Sequence, residues 1–238
     1  MKAVYLEQHG GPEVLTYGEV EDQPMGASEV RIKVRACALN RLDLYTRAGL
    51  RGTTINFDGP HVLGADVSGE IVEVGSDVKN LSENMRVLVN PRVTCMQCRY
   101  CLSGKTEFCT RSSMVGSSKF GGYAEFIVVS ASSVIPIPDV LDFVQAASLP
   151  TVFMPSWNIL VRTAQLQPWE IALVPSASSG VGTAAIQVAK NICGSKVIAT
   201  TSTDEKASKA LDIGADYALN YREDNLAEKI KEITQGAG

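Results

Sequence analysis

The chain has no Lys/Arg-rich block; its 22 basic and 26 acidic residues are dispersed and leave a formal charge of −4. That argues against nucleic acid or an anionic membrane surface as a partner. No apolar run approaches the ~18 residues that a membrane-spanning helix needs. The opening MKAVYLEQHGG reaches Glu7 before any apolar segment that could act as a secretory signal. Histidine is scarce: His9 and His61 are the only two, in segments without an obvious coordinating partner, and both read as structural. Six unevenly placed cysteines without a secretory signal point to thiolate chemistry in a reducing, cytoplasmic compartment rather than to disulfides.

At 45% hydrophobic residues, the 238-residue chain can build a sizeable core and one large or two modest domains. Up to about residue 140 it reads as short strands rich in β-branched residues: MKAVYL, VLTYGEV, EVRIKVRACAL, DVSGEIVEVG, MRVLVNP and YAEFIVVS. Pairs such as Gly10-Gly11, Gly75-Ser76 and Gly121-Gly122 bound them, which suits a barrel or folded-over sheet. NRLDLYTRAG reads as a helix closed by Gly49. The rhythm then changes, giving domains 1–140 and 141–238. DFVQAASL and SWNILVRTA have helical spacing, interrupted by Pro150 and Pro155. Strand and helix then alternate through KVIATT, EKASKALDIG, YALNY and LAEKIKEITQ, the pattern of an α/β domain with a parallel sheet.

The second domain opens with IALVPSASSGVGTAAIQVAKNICG, a buried strand, a small-residue turn and a helix. Val181, Ala184, Ala185, Val188, Ala189 and Ile192 fall on one predicted helical face, with Gly194 at the C-terminal cap position. The turn Ala177 to Gly182 stands where a dinucleotide fingerprint belongs but keeps only Gly180 and the last glycine, Gly182. Its setting, between a strand and a helix with a second strand ending about 20 residues on, supports a pyrophosphate at the helix N-terminus. Ser178, Ser179, Gly180, Val181 and Gly182 are the candidate contacts; the plainer alternative is an ordinary strand-to-helix turn. The second strand ends at Thr200-Thr201 without the acidic residue that bonds a ribose 2′-hydroxyl. Ser202, Lys206 and Tyr221 can instead hold a 2′-phosphate, with Thr201 a cofactor-site residue at the strand end, so NADP(H) is expected, although Asp204 lies close and Lys206 can equally be a solvated helix residue.

Cys95, Cys98, Cys101 and Cys109 are separated by two, two and seven residues. Four thiolates this close favour tetrahedral Zn²⁺ with every position filled by protein. An iron–sulfur cluster is the second choice, since the usual cluster run has three residues before its last cysteine and a proline after it. Cys37 and Cys193 read as small core residues.

HGGPEVL, ALNRLDLYTRAGL, HVLGADVSGEIVEVG, NPRVTCMQC, GGYAEFIVV, SSGVGTAAIQVAK and GADYALNYRE together resemble the medium-chain dehydrogenase/reductase superfamily, which holds zinc alcohol dehydrogenases and quinone oxidoreductases. The resemblance runs along nearly the whole chain. It implies a GroES-like, β-rich catalytic domain with a zinc lobe at 91–110, followed by part of a Rossmann domain. It also implies that the four-cysteine zinc is structural, and that the complete protein is a homodimer or homotetramer acting on a small molecule. The catalytic zinc ligands of the alcohol dehydrogenases fall on Asn40, on Ala65 with Asp66 beside it, and near Pro150 and Thr151. Those residues suit Zn²⁺ poorly.

The resemblance then favours the metal-free members, in which NADPH delivers hydride to a quinone or an activated C=C bond. Asn40 is the candidate donor to the substrate oxygen, Tyr45 the candidate proton donor, and Asp43 a residue that orients either. A packed aromatic is the alternative for Tyr45, and a buried structural hydrogen bond or a surface helix position the alternative for Asp43. The family pattern continues beyond the last residues of this chain, which supply strands 3, 2 and 1 of a 3-2-1-4-5-6 sheet. A zinc alcohol dehydrogenase and a non-catalytic NADPH-binding scaffold remain the competing readings.

Overall fold

A computed structural model of the chain describes residues 1–237. The chain forms two compact units that divide between Pro150 and Thr151. In the first unit the strands are β1 (Lys2–Leu6), β2 (Thr16–Glu19) and β3 (Glu29–Ala38), followed by helix α1 (Arg41–Ala48). Next come β4 (His61–Val62), β5 (Asp66–Val74), β6 (Arg86–Val89) and β7 (Arg92–Val93), then the short helix α2 (Arg99–Leu102). The unit closes with β8 (Ser113–Met114), β9 (Phe126–Ser130), β10 (Val134–Pro136) and helix α3 (Phe143–Ala147).

Its main sheet is antiparallel, in the order β10-β6-β5-β3-β9. Alternation along β3 shows why it forms. Val30 and Ile32 are buried, while Arg31 and Arg35 face outward and pair across the ladder with Glu73 at 2.9 Å and Glu70 at 2.6 Å. Val30, Ile32, Val67, Ile71, Val87, Val89, Ile127 and Val129 make one continuous apolar core from the inward faces of four strands. A smaller sheet, β2-β1-β4, lies in the same unit.

α1 starts and stops where its sequence directs. The Asp43 carboxylate accepts the Asn40 backbone N–H at 2.7 Å, half of a capping box, and Gly49 ends the helix in the left-handed region at φ +67°. Gly64, at φ +100°, has no room for a Cβ, which would lie 2.6 Å from the Tyr123 ring and 2.8 Å from Cys37 Sγ.

The second unit begins in helix α4 (Pro150–Trp157), which continues through a π-helical turn, Asn158–Thr163. Pro155 therefore does not interrupt the helix as its sequence position predicts; it stays inside, and the wider turn follows directly. Strand β11 (Ile171–Val174), helix α5 (Gly180–Asn191), β12 (Lys196–Thr201), α6 (Asp204–Asp212), β13 (Tyr217–Asn220) and α7 (Leu226–Ile233) then alternate. The three strands are parallel in the order β11-β12-β13. Ala172, Val174, Ile186, Ala189, Val197, Ala199 and Ala210 form the core of this unit.

The buried face of α5 keeps Ala184, Val188 and Ala189 of the predicted stripe but not its two ends. Val181 and Ile192 are exposed at 40% and 58%, whereas Ile186 is fully buried. Gly182, Ile186 and Ala189 centre the inward stripe because α5 must sit close over the turn that precedes it: a Cβ on Gly182 would stand 2.5 Å from the Ser176 carbonyl oxygen. Among the described residues no helix is long and apolar enough to cross a membrane.

Candidate functional site

The four clustered cysteines come together because the lobe is closed at its base and turned tightly inside. β7 and β8 pair as a two-stranded ribbon, and the Arg92 guanidinium donates to the Glu107 carbonyl at 2.8 Å. Cys98 caps α2, Cys101 lies on it, and Gly104 at φ +73° turns the chain back toward Cys109. The four Sγ atoms lie within 4.8 Å of one another, with Cys98–Cys101 at 3.5 Å, Cys95–Cys109 at 3.6 Å and Cys95–Cys101 at 3.9 Å. Zn–S bonds of about 2.3 Å in a tetrahedron place sulfurs about 3.8 Å apart, so the donor set fits one zinc ion. The Gln97 backbone N–H pulls the Cys95 thiol down to about 6, while burial pushes Cys101 up to about 11. A bound dication would supply the charge that ionises Cys101. All six cysteines are free thiols.

Elsewhere in the first unit Asn40 is a junction. Its backbone N–H donates to Asp43, and its side-chain amide donates to Asp66 Oδ2 at 2.9 Å. Asp43 also accepts the Gly64 N–H at 3.2 Å, and both aspartates are buried. Burial raises the Asp43 carboxyl above its ordinary range despite these backbone donors. Cys37 and the Tyr123 phenol stand close by. Burial, reinforced by the two carboxylates, drives both well above their usual ranges and keeps them protonated. The Tyr123 hydroxyl faces the Asp43 charge, yet no group meets it at hydrogen-bond distance and angle. Asn40, Asp43, Tyr123, Leu39, Leu44 and Leu63 border a largely apolar cavity of about 700 Å³.

Tyr45 is not among the residues bordering that cavity; its ring lies under the Arg51 guanidinium, 4.7 Å from the centroid. Sequence reasoning passed over Tyr123, whose only signal is an aromatic after the Gly121-Gly122 pair. Among the described residues, the four-cysteine cluster is the one place where three or more His, Cys, Asp or Glu ligand atoms converge. Asn40, Ala65 and Asp66 therefore do not make a second such set, and the first two bring no acidic or thiolate donor. The histidines have other partners. His9 Nε2 accepts the Ile55 N–H at 3.0 Å and its Nδ1 faces the Arg47 carbonyl at 3.2 Å, while His61 Nε2 faces the Gly116 carbonyl at 3.5 Å.

In the second unit the turn after β11 has the geometry of an anion cradle. Ser179 caps α5 by accepting the Gly182 N–H at 3.0 Å, and α5 then runs for 12 residues with its positive end at Gly180 and Val181. Gly182 permits the close helix-to-turn approach that the last glycine of such a fingerprint provides. Ala177 N–H donates to the Thr200 carbonyl at 3.0 Å, which ties the turn to the end of β12. Thr201 is 1% exposed and its hydroxyl donates to the Thr203 carbonyl, so its side chain is committed to the turn. Ser202 and Lys206 meet, Nζ to Oγ at 3.3 Å. Tyr221 is exposed and follows β13 directly, its N–H on the Thr201 carbonyl at 3.0 Å. A crevice of about 410 Å³ runs past Ala177, Ser178, Thr183 and Lys206.

A β-rich unit with a thiolate lobe, followed by a parallel α/β unit with a dinucleotide-type turn, defines an oxidoreductase scaffold. Residues 26–139 match the alcohol dehydrogenase GroES-like domain, and residues 180–238 match the zinc-binding dehydrogenase domain. The chain is 32% identical to an NAD-dependent alcohol dehydrogenase of Sulfurisphaera tokodaii, over all of this chain and 69% of that protein. A crystal structure of an NAD-dependent alcohol dehydrogenase superposes with a TM-score of 0.95 at 36% identity, covering 100% of this chain and 68% of the other. The Escherichia coli quinone oxidoreductase complexed with NADPH superposes with a TM-score of 0.79 at 30% identity, covering 99% and 63%. The chain belongs to the medium-chain dehydrogenase/reductase superfamily. It spans 57% to 69% of the length of the curated relatives it matches.

Proposed function

We propose that the chain belongs to an NADPH-dependent oxidoreductase that reduces quinones or activated C=C bonds (enones or enoyl thioesters) without a catalytic metal, and that its cysteine lobe holds one structural zinc. The observation that carries this reading is the Asn40–Asp66 hydrogen bond at 2.9 Å. Of the two positions in this unit that would hold a catalytic zinc, Asn40 is engaged with Asp66 and the other is Ala65, and neither an amide nor a methyl group is a fit ligand for zinc.

Bound NADPH supplies a hydride to the electrophilic carbon of the substrate. The protein's task is then to bear the negative charge that develops on the conjugated oxygen. An amide nitrogen carries two hydrogens; Asn40 spends one on Asp66, and the second is assigned to that oxygen. Asp66 fixes the rotamer, while Asp43 fixes the backbone of the same residue. Tyr45, which does not border the cavity, is assigned as proton donor only by way of an intervening water. The apolar border of Leu39, Leu44 and Leu63 suits an uncharged, unsaturated substrate better than a charged one.

On the coenzyme side, Ser178, Ser179 and the N–H groups of Gly180 and Val181 take the pyrophosphate, while Gly182, whose N–H is held by the Ser179 cap, lets the helix start close to the turn. Ser202, Lys206 and Tyr221 take the 2′-phosphate, and Thr201 supports that corner through its backbone. Assembly into a homodimer or homotetramer and a cytoplasmic location complete the proposal.

Steady-state NADPH oxidation against a panel of quinones, enones and simple aldehydes tests the reading. Turnover confined to quinones and enones supports it. Alcohol or aldehyde turnover that depends on a second zinc ion favours the other reading, an alcohol dehydrogenase, to which similarity to NAD-dependent alcohol dehydrogenases gives specific weight.

A further inference from the structure

The corner assigned to the 2′-phosphate contains more acid than base. Asp204, Glu205, Glu223 and Asp224 all follow the ends of β12 and β13, where a free carboxylate would repel a phosphate and favour NADH. The structure gives Asp204, Glu205 and Asp224 other partners. Glu205 pairs with Lys209 at 2.7 Å. Asp224 accepts the Asn220 backbone N–H at 2.7 Å, and Asp204 accepts the Asn220 side-chain amide at 2.9 Å. Asp224 is thus held by backbone, and of these contacts only the one to Asp204 is made by the Asn220 side chain.

Asn220 is well placed to do this. It is the last residue of β13, opposite Thr201 in the parallel ladder, and 7% exposed. Its Oδ1 accepts the Arg222 N–H at 3.2 Å, which fixes the amide so that Nδ2 points to Asp204. Asp204 and Lys206 are two residues apart at the start of α6, and residues so spaced do not share a helix face. The amide draws Asp204 to one side while Lys206 reaches Ser202 on the other.

We infer that Asn220 is a positioning residue for coenzyme choice: its side-chain amide holds the Asp204 carboxylate aside from the ribose corner and leaves Lys206 and Ser202 to bind the 2′-phosphate. The inference rests on the NADPH reading above. Asn220 itself touches no part of the coenzyme.

The test is calorimetric binding of NADPH and NADH to the full chain, wild type and variants, with thermal melting as a check on folding. Wild type is expected to bind NADPH more tightly, and Lys206→Ala to weaken NADPH alone. Asn220→Ala, which frees Asp204, is expected to lower the NADPH-to-NADH affinity ratio by about tenfold. Asp204→Asn in the Asn220→Ala background is expected to restore the ratio, a rescue that a purely structural role would not give.

If Asn220→Ala weakens both coenzymes equally, or Asp204→Asn restores nothing while Lys206→Ala still acts on NADPH alone, the positioning role is wrong and the NADPH reading stands. If wild type shows no preference and Lys206→Ala changes neither affinity, the NADPH reading fails and the inference with it.

Discussion

The Asn40 side-chain amide and the buried Asp66 carboxylate, 26 residues apart, meet at 2.9 Å, and Asn40 borders an apolar cavity. Asn40→Ala removes the donor and leaves the buried Asp66 with one fewer partner. A loss of about 1–3 kcal/mol in folding stability is expected, read from urea unfolding. Asn40→Asp places a second carboxylate against the first and is expected to cost more than the alanine change.

Asp43 gives a pH signature. Burial raises its folded-state pKa above the unfolded value, so its contribution to stability is fully present below the unfolded value and is lost as pH rises through the folded one. The stability difference between wild type and Asp43→Asn is therefore expected to move against wild type as pH rises across that window. Thermal melts of the two proteins from pH 3 to 8 would check it; a difference independent of pH would show that the carboxyl is not perturbed.

Asp216 should behave in the opposite sense. Burial opposes its ionisation, but the Lys190 ammonium at 2.6 Å and the Val197 N–H at 2.8 Å outweigh it and hold the carboxyl below its ordinary range. Its stabilisation is present above the unfolded pKa and is lost as pH falls through the folded one. Because the pair is partly exposed, Asp216→Ala is expected to cost only about 1 kcal/mol at neutral pH, vanishing in strong acid.

These features were unevenly legible in sequence. Cys95, Cys98, Cys101 and Cys109 and the strand–turn–helix around Gly182 are local patterns, so spacing alone located them. The β-branched residues of EVRIKVRACAL likewise showed β3. What spacing did not reveal depends on partners distant in the chain. Nothing near Asn220 announces that its amide will reach Asp204 across 16 residues, and nothing in GGYAE places Tyr123 beside Asp43. The inward face of α5 was legible at Ala184, Val188 and Ala189 and misjudged at its ends, Val181 and Ile192, while close packing at Gly182 went unread.

Gly182 offers a direct test of the coenzyme turn. Adding a methyl group places carbon 2.5 Å from the Ser176 oxygen and 2.8 Å from Ala177 Cα, both backbone. Gly182→Ala is expected to destabilise the chain by about 1–3 kcal/mol and to weaken NADPH binding at least tenfold. Unchanged binding would remove the turn from the coenzyme site.

Tyr45 and Tyr123 can be separated by the same conservative change. Tyr123→Phe removes a buried hydroxyl that completes no hydrogen bond, so its melting temperature should hold or rise. Tyr45→Phe is expected to lower kcat for enone reduction by about 10²-fold if it is the proton donor. Unaltered kcat for Tyr45→Phe would return that residue to a packing role beneath Arg51.

The most direct measurement of the central claim is the number of zinc atoms per folded chain, by elemental analysis of wild type and of the Cys95→Ser/Cys101→Ser variant. The account predicts one zinc in wild type and none in the variant, because Asn40, Ala65 and Asp66 do not form a second site. Two zinc atoms in wild type, with one retained in the variant, would contradict it and establish a metal-assisted reaction.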